Sequence, residues 1–170
     1  MTLAISTQDQ TFIFNFMLNK ISANRFHKRF PRATGRQTAL TLLVQAEAEN
    51  NPRDVECALA LAYYFGIDSD FIHVLQRLAF VDWHARHEDI IKSLDELRDE
   101  SNIDAFVHAA THIPAYLAWD ENQALTRKAM FGLGHLGSCA AIEKLDELST
   151  NDDPIVRRWV AEQFELRKPT

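Results

Sequence analysis

The chain has 170 residues, of which 46% are hydrophobic and 25% are charged, and its formal net charge is −6. This length suits one sizeable hydrophobic core, and the composition excludes an intrinsically disordered protein. Only five Gly and five Pro leave too few turns for a β-sandwich or a β-barrel.

The excess of acidic residues is confined to the second half of the chain. Residues 1–85 carry eight Lys or Arg and eight Asp or Glu, whereas residues 86–170 carry ten and sixteen. A negative surface repels phosphate backbones and attracts basic partners. We therefore expect the second half to favour a basic protein partner, and nucleic-acid binding there to be unlikely from charge alone.

Two features predict the cellular compartment. The first positive side chain is Lys20, and the apolar run from Phe12 to Leu18, interrupted by Asn15, is too short to span a bilayer. Cys57 and Cys139 both fall within apolar helical patterns, so we expect two buried, reduced thiols, with a disulfide or a metal pair as the alternative. These features predict a cytoplasmic protein.

Periodic apolar residues predict nine helices, and no segment shows the alternation typical of a strand. Thr7 and Gln10 have the spacing of a capping box. Asn51 is a good N-cap before Pro52 in the first turn, and Gly66 ends that helix. In chain order, the predicted helices span residues 7–25, 37–49, 52–66, 69–79, 87–98, 103–118, 122–136, 139–148 and 154–164.

Proline marks three further places along the chain. Residues from Pro31 to Gly35 are predicted to form the first loop. Pro114 is expected to kink the helix of residues 103–118. Asp153 caps the last helix, and Pro154 occupies its first turn.

Two internal similarities favour stacked helix pairs over a bundle. The segment Leu125–Phe131 matches Ile155–Ala161 thirty residues later, and Leu94–Leu97 recurs as Leu145–Leu148. Each helix pair has too small a core to fold alone, so neighbouring pairs must cover its apolar faces.

The stretch from Leu125 to Arg167 resembles bacterial HEAT repeats. It carries a Gly-Leu-Gly-His-Leu-Gly helix end, an Asp-Pro-Ile-Val-Arg turn and a final helix, and the resemblance is clearest over residues 86–168. It implies an all-α fold, a right-handed α-solenoid of about nine antiparallel helices forming one domain across residues 1–170. Residues 1–85 would then be divergent N-terminal repeats or a cap. HEAT-like folds mostly bind proteins, sometimes bind nucleic acids and occasionally host an enzyme.

A histidine-rich segment raises the question of a metal site. On a helix His84, His87 and Glu88 share a face at metal-ligand spacing. HEAT-like iron hydroxylases use several His-Glu dipeptides, whereas only His87-Glu88 occurs here, with His108 or His112 as candidates for completing a site. We expect structural hydrogen bonds instead, and no metal or other cofactor. A HEAT-scaffold enzyme or lyase with a His/Glu site remains the alternative.

Motifs for nucleophilic chemistry are absent from the sequence. There is no Gly-x-Ser-x-Gly, no phosphate-binding glycine loop and no Cys-x-x-Cys. Gly132 and Gly134 lie in a predicted helix with no strand before it, and close packing of two helices explains them. We therefore expect a protein that is not an enzyme.

Two groups of basic residues suggest nucleic acid as an alternative partner. The run Arg25–Arg36 holds five cationic side chains with Phe26 and Phe30 interleaved, a pattern that suits phosphate and base contacts. The two Phe are four residues apart, so they more simply continue the apolar face of the first helix. The pairs Arg127-Lys128 and Arg157-Arg158 could form a basic ridge like that of HEAT-like DNA glycosylases, but the same half of the chain is acidic.

The leading hypothesis is a protein-interaction module that binds a basic partner through an acidic face. Its sharpest form is a bacterial immunity protein, or antitoxin, that neutralises a basic toxin; a general adaptor is the broader form. Aromatic residues beside acids near helix ends supply the expected contacts. These are Trp83, His84, His87, Glu88, Asp89, Trp119, Asp120 and Glu121.

Overall fold

The computed structural model describes residues 6–121 and 123–167, and over these residues the chain is helical without a β-strand. The predicted all-α class is confirmed. The described α-helices are α1 Thr7–Met17, α2 Ala23–Arg29, α3 Arg32–Ala48, α4 Pro52–Phe65, α5 Ile72–Ala79, α6 His87–Leu97, α7 Ile103–Thr111, α8 Ala124–Leu136, α9 Cys139–Leu148 and α10 Pro154–Glu165. Three 3-10 turns, Ser69–Phe71, Glu100–Asn102 and Ala115–Leu117, precede α5, α7 and the loop before α8.

Local capping explains why several helices start where the sequence predicts. The side chain of Asn51 accepts hydrogen bonds from the backbone N–H groups of Arg53 and Asp54, at 3.2 and 3.3 Å, at the start of α4. Asp153 accepts from the N–H of Ile155 at 2.8 Å, and this hydrogen bond lowers the pKa of its carboxyl group. Such caps satisfy N–H groups that have no partner within the helix.

The predicted first helix, residues 7–25, is wrong in its extent. The chain leaves the helix after Met17, and Asn19 adopts a left-handed φ of 58° before Ser22 caps α2. Asn tolerates that conformation better than most residues, so no Gly or Pro is needed to break the helix. The capping box is also one residue earlier than predicted, because Ser6 and Asp9 exchange the hydrogen bonds.

The predicted loop from Pro31 to Gly35 is wrong as well. Helix α3 begins at Arg32, directly after Pro31. Gly35 is buried inside this helix, where a Cβ would collide with the ring of Phe65 on α4. The glycine therefore serves close packing of α3 against α4 rather than a turn.

Pro114 ends a helix instead of kinking it. Helix α7 stops at Thr111, and His112 is extended with φ −117° and ψ 112°. Proline donates no backbone hydrogen bond and disfavours helical geometry in the residue before it. The chain resumes as the 3-10 turn Ala115–Leu117, so the predicted helix of residues 103–118 is wrong beyond Thr111.

The chain divides into two compact units, Met1–Val74 and Leu75–Thr170, with the boundary inside α5. The first unit packs α3 along α4 and sets α1 against α4. Its centre is aromatic: the ring of the buried Phe26 stacks on Phe16 at 3.8 Å and meets Tyr64 edge-on at 5.6 Å. The single-domain expectation stays a prediction.

The second unit is built around α8, which packs against α6, α7, α9 and α10. A Cβ on Gly132 would lie 2.6 Å from Cε1 of Phe106, a fully buried side chain of α7. Gly134 lies against Gln163 of α10. The prediction that these two glycines serve helix packing is confirmed.

The two cysteines differ in environment. Both thiols are free; Cys57 is buried in α4, and burial raises its pKa to about 12. Cys139 is exposed at the first position of α9, so the prediction of a buried thiol is wrong there. Among the described helices, none has the length and apolar character needed to cross a membrane.

Candidate protein-interaction surface

Two contacts in the second unit join the segment of the first five predicted contact residues, Trp83 to Asp89, to the chain just before the other three, Trp119 to Glu121. The backbone N–H of His87 donates to the hydroxyl of Tyr116 at 3.2 Å. Nε2 of the exposed His112 lies 3.0 Å from a carboxylate oxygen of Asp82, and this contact lowers the pKa of Asp82. Sequence reasoning missed Tyr116, because nothing local signals a partner 29 residues away.

We call this region the acidic loop surface and define it by its carboxylates and its exposed tryptophan. Its members are Asp82, Glu88, Asp89, Trp119, Asp120 and Glu121. Two of the acids are paired, since Glu88 lies 3.0 Å from the ammonium of Lys128 and Asp89 lies 3.6 Å from the guanidinium of Arg86.

His84 and His87 are buried, with only 3% and 2% of their areas exposed. Nε2 of His84 is 2.8 Å from the carbonyl oxygen of Leu78, and Nε2 of His87 is 2.9 Å from that of Val81. A carbonyl oxygen only accepts, so both Nε2 atoms carry the proton and donate.

The Nδ1 atoms of the two rings are acceptors. Nδ1 of His84 accepts from the N–H of Arg86 at 3.2 Å, and Nδ1 of His87 accepts from the hydroxyl of Tyr116 at 3.3 Å. Both imidazoles are therefore neutral. Burial lowers the pKa of each ring, to about 4 for His87, because a buried imidazolium loses its hydration.

Hydrogen bonds thus occupy every ring nitrogen of His84 and His87. This agrees with the structural hydrogen bonds that the sequence predicts for the segment. No nitrogen is left for a metal ion or for a proton transfer in this conformation. Over residues 6–121 and 123–167, no three His, Cys, Asp or Glu side chains are placed to share a metal ion. Burial also removes the His84 and His87 side chains from the surface that a partner would touch.

Two hydrogen bonds hold residues that follow Trp119 in its loop. A carboxylate oxygen of Asp120 accepts the N–H of Ala124 at 2.6 Å, at the start of α8, and Gln123 donates to Asp153 at 3.1 Å. Trp119 itself is 77% exposed. This loop therefore presents a large apolar side chain to solvent, next to Asp120 and Glu121.

A second exposed ring lies near the His112 end of the surface. Phe80 is 47% exposed and packs on the ring of His108 at 4.6 Å, and His108 in turn stacks on His112 at 4.8 Å. Trp83, the other predicted aromatic contact, is half-buried. Phe80 was missed because it directly follows the apolar stripe of α5 and has the residue type of a core position.

The basic run Arg25–Arg36 does not form the predicted stacking surface. Phe26 is fully buried and Phe30 is buried, so neither ring is available to a base. Arg29 donates two hydrogen bonds to Asp9, at 2.7 and 2.9 Å, and this pairing lowers the pKa of Asp9. The guanidinium of Arg36 pairs with Asp68 at 3.0 Å.

The arginines proposed for the basic ridge make two different kinds of contact. Arg157 donates to the carbonyl oxygens of Asn151 and Asp152, so it braces the loop before α10. Arg127 and Arg158 instead lie over the ring of Trp159.

Neither a protein-family model, nor a curated protein, nor a solved structure matches this chain. The functional argument therefore rests on the geometry of the chain itself.

Proposed function

We propose that this protein is an interaction module that binds a basic protein through the acidic loop surface. The observation that carries the proposal is Trp119, 77% exposed on a loop that Asp120 and Gln123 hold in place. Tryptophan is one of the residue types enriched among the residues that carry most of the binding energy at protein interfaces. Hydrogen bonds that restrain the loop lower the entropic cost of binding.

The charge of this region supports a basic partner. The second unit carries six more acidic than basic groups, and the first unit is balanced. Asp82 and Glu121 are exposed acids of this surface. Opposite charge accelerates encounter and fixes the orientation of docking. A basic toxin neutralised by an immunity protein is the specific form of this proposal, and a cytoplasmic, non-enzymatic adaptor is its general form.

The proposal also takes the HEAT-like α-solenoid as the architecture. It is supported by the thirty-residue similarity between α8 and α10 and by the packing of α8 against α9 and α10. Arg157, in the Asp-Pro-Ile-Val-Arg turn, hydrogen-bonds the carbonyl oxygens of the loop before α10.

Affinity capture from the native cell lysate tests the proposed function. Tagged wild-type protein and Glu121→Lys are compared by quantitative mass spectrometry at two salt concentrations. We expect one basic protein in near-stoichiometric amount with the wild type, less at high salt, and at least about fivefold less with Glu121→Lys.

Glu143→Lys is the matched control, because Glu143 is an exposed acid on α9 outside the acidic loop surface and the change in charge is the same. Capture should be equal for this variant and the wild type. Equal capture by all three proteins, or recovery of an acidic protein or nucleic acid in place of a basic protein, contradicts the proposal.

A further inference from the structure

A separate cationic and aromatic cluster lies on α8 and α10. The guanidinium carbon of Arg127 is 5.1 Å from the ring centre of Phe131 and 5.3 Å from that of Trp159. The guanidinium of Arg158 lies over the same Trp159 ring at 4.4 Å. Two guanidinium groups from two different helices therefore lie close to one indole.

Neither guanidinium has a hydrogen-bonding or ion-pair partner among the residues that the structure describes, and both side chains are exposed. Each guanidinium offers five N–H donors in a planar fork. Stacking on an aromatic face fixes the plane of the fork and leaves its edge open to an anion. The N–H donors of Arg127 and Arg158 are thus available to an anion.

A cavity of about 230 Å³ extends this cluster between α6 and α8. Arg127 and Phe131 belong to both the cluster and the cavity wall, and Lys92, Asp95, Lys128 and His135 complete the wall. The acid in the wall is already compensated, since Asp95 lies 2.9 Å from Nδ1 of His135 and 3.4 Å from the guanidinium of Arg98. The two lysines of the wall are also paired, Lys92 with Glu96 at 3.6 Å and Lys128 with Glu88 at 3.0 Å. The cavity therefore combines an apolar ring with the guanidinium of Arg127 as its remaining positive group.

We propose that this cluster and cavity bind an acidic peptide segment of a partner protein. Carboxylates match the guanidinium fork with two parallel hydrogen bonds, and an apolar side chain of the segment would pack on Phe131. This site is opposite in charge to the acidic loop surface, so it calls for a second partner segment and stands independently of the function proposed above.

A protein segment fits this site better than a nucleic acid. The six excess acidic groups of the second unit repel an extended phosphate backbone, whereas a short acidic peptide needs only the local positive charge.

Fluorescence anisotropy with the full chain tests the proposal. The probe is a fluorescein-labelled peptide of alternating Glu and Leu, with the Gln and Leu version as its uncharged control. We expect the Glu peptide to bind at low salt and the Gln peptide to bind at least about tenfold more weakly. The double variant Arg127→Gln, Arg158→Gln should lose at least about tenfold in affinity for the Glu peptide.

Arg53→Gln is the matched control, because Arg53 is an exposed arginine of the first unit that lies 5.8 Å from the ring of Phe14. It should bind the Glu peptide as the wild type does, and all variants should keep the thermal midpoint of the wild type. The double Arg→Lys variant keeps the charge but not the fork, so it should remain weaker than the wild type.

Three results would overturn the proposal. They are the absence of binding to the Glu peptide, an equal loss of affinity in Arg53→Gln, and tighter binding of a single-stranded oligonucleotide of the same charge.

Discussion

The His84–His87 pair and the Trp119–Glu121 loop have the same sequence signature, an aromatic ring beside acids near a helix end, but the structure uses them differently. The two imidazoles are buried and hydrogen-bonded at every ring nitrogen. The indole of Trp119 is exposed on a loop held by backbone and side-chain hydrogen bonds. The imidazoles of His84 and His87 make all their hydrogen bonds within the protein. The exposed indole of Trp119 is the ring that a partner can cover.

Removal of a buried imidazole should give the largest effect. His87→Ala leaves the carbonyl of Val81 and the hydroxyl of Tyr116 without this partner and opens a cavity. We expect the free energy of unfolding to fall by about 3 kcal/mol. Urea denaturation followed by circular dichroism measures this free energy. A loss of less than about 1 kcal/mol would contradict a structural role for the His87 hydrogen bonds.

Acidification should act on the same pair through protonation. The pKa of His87 is about 4 in the folded protein and near 6.5 in an unfolded chain. Because the folded pKa is the lower one, this contribution to stability is full above about pH 6.5 and is lost as the pH falls towards 4. We expect a loss of about 2 kcal/mol between about pH 7 and about pH 5.

Neighbouring groups modify this pH dependence without reversing its sign. Asp82 favours the charged imidazole, whereas burial, the main cause of the shift, together with His84 and His112, disfavours it. His84 and His108 also have lowered pKa values, so they add to the loss in the same range. His87→Gln, which does not titrate, should lose distinctly less stability than the wild type on acidification, and an equal loss would assign the effect to other groups.

The exposed contact between His112 and Asp82 should matter much less than the buried His84–His87 pair. His112→Ala removes the 3.0 Å contact with Asp82 on a solvated surface. Exposed pairs contribute little, so we expect a loss of less than about 1 kcal/mol at neutral pH. Urea denaturation of His112→Ala and His87→Ala under the same conditions compares the two losses. Equal destabilisation of the two variants would contradict this prediction.

Trp119→Ala should change stability least. Only about a quarter of the indole is covered, and the loop is held by Asp120 and Gln123 rather than by the ring. We expect the unfolding free energy to stay within about 0.5 kcal/mol of the wild type. A larger loss would show that the ring packs on the chain itself.

Local signals predicted the helices well where caps and glycines act within a few residues. The structure confirms the predicted helix starts at Asn51 with Pro52 and at Asp153 with Pro154. It also confirms the predicted helix end at Gly66. The break after Met17 was not predictable in this way, because it depends on Asn19 adopting a left-handed conformation. Gly35 suggested a loop, although its role is to admit the ring of Phe65 from another helix.

The candidate site was predictable only in part, because burial depends on distant segments. The sequence placed Trp119 in a loop, as observed, and identified His84 and His87 as special. It gave no sign that Tyr116 and the carbonyl of Val81 would saturate the His87 ring. Likewise, Arg127 and Arg158 were assigned to a ridge, whereas their positions depend on the shared Trp159.

The measurement that most directly tests the central claim is the affinity of Trp119→Ala for the captured basic partner, by titration calorimetry, with Ile142→Ala as control. Ile142 is an exposed apolar residue of α9, so both variants remove apolar surface. The account predicts at least about a tenfold loss of affinity for Trp119→Ala, without a change in its stability, and no loss of affinity for Ile142→Ala. Unchanged affinity of Trp119→Ala would contradict the assignment of this loop as the binding surface.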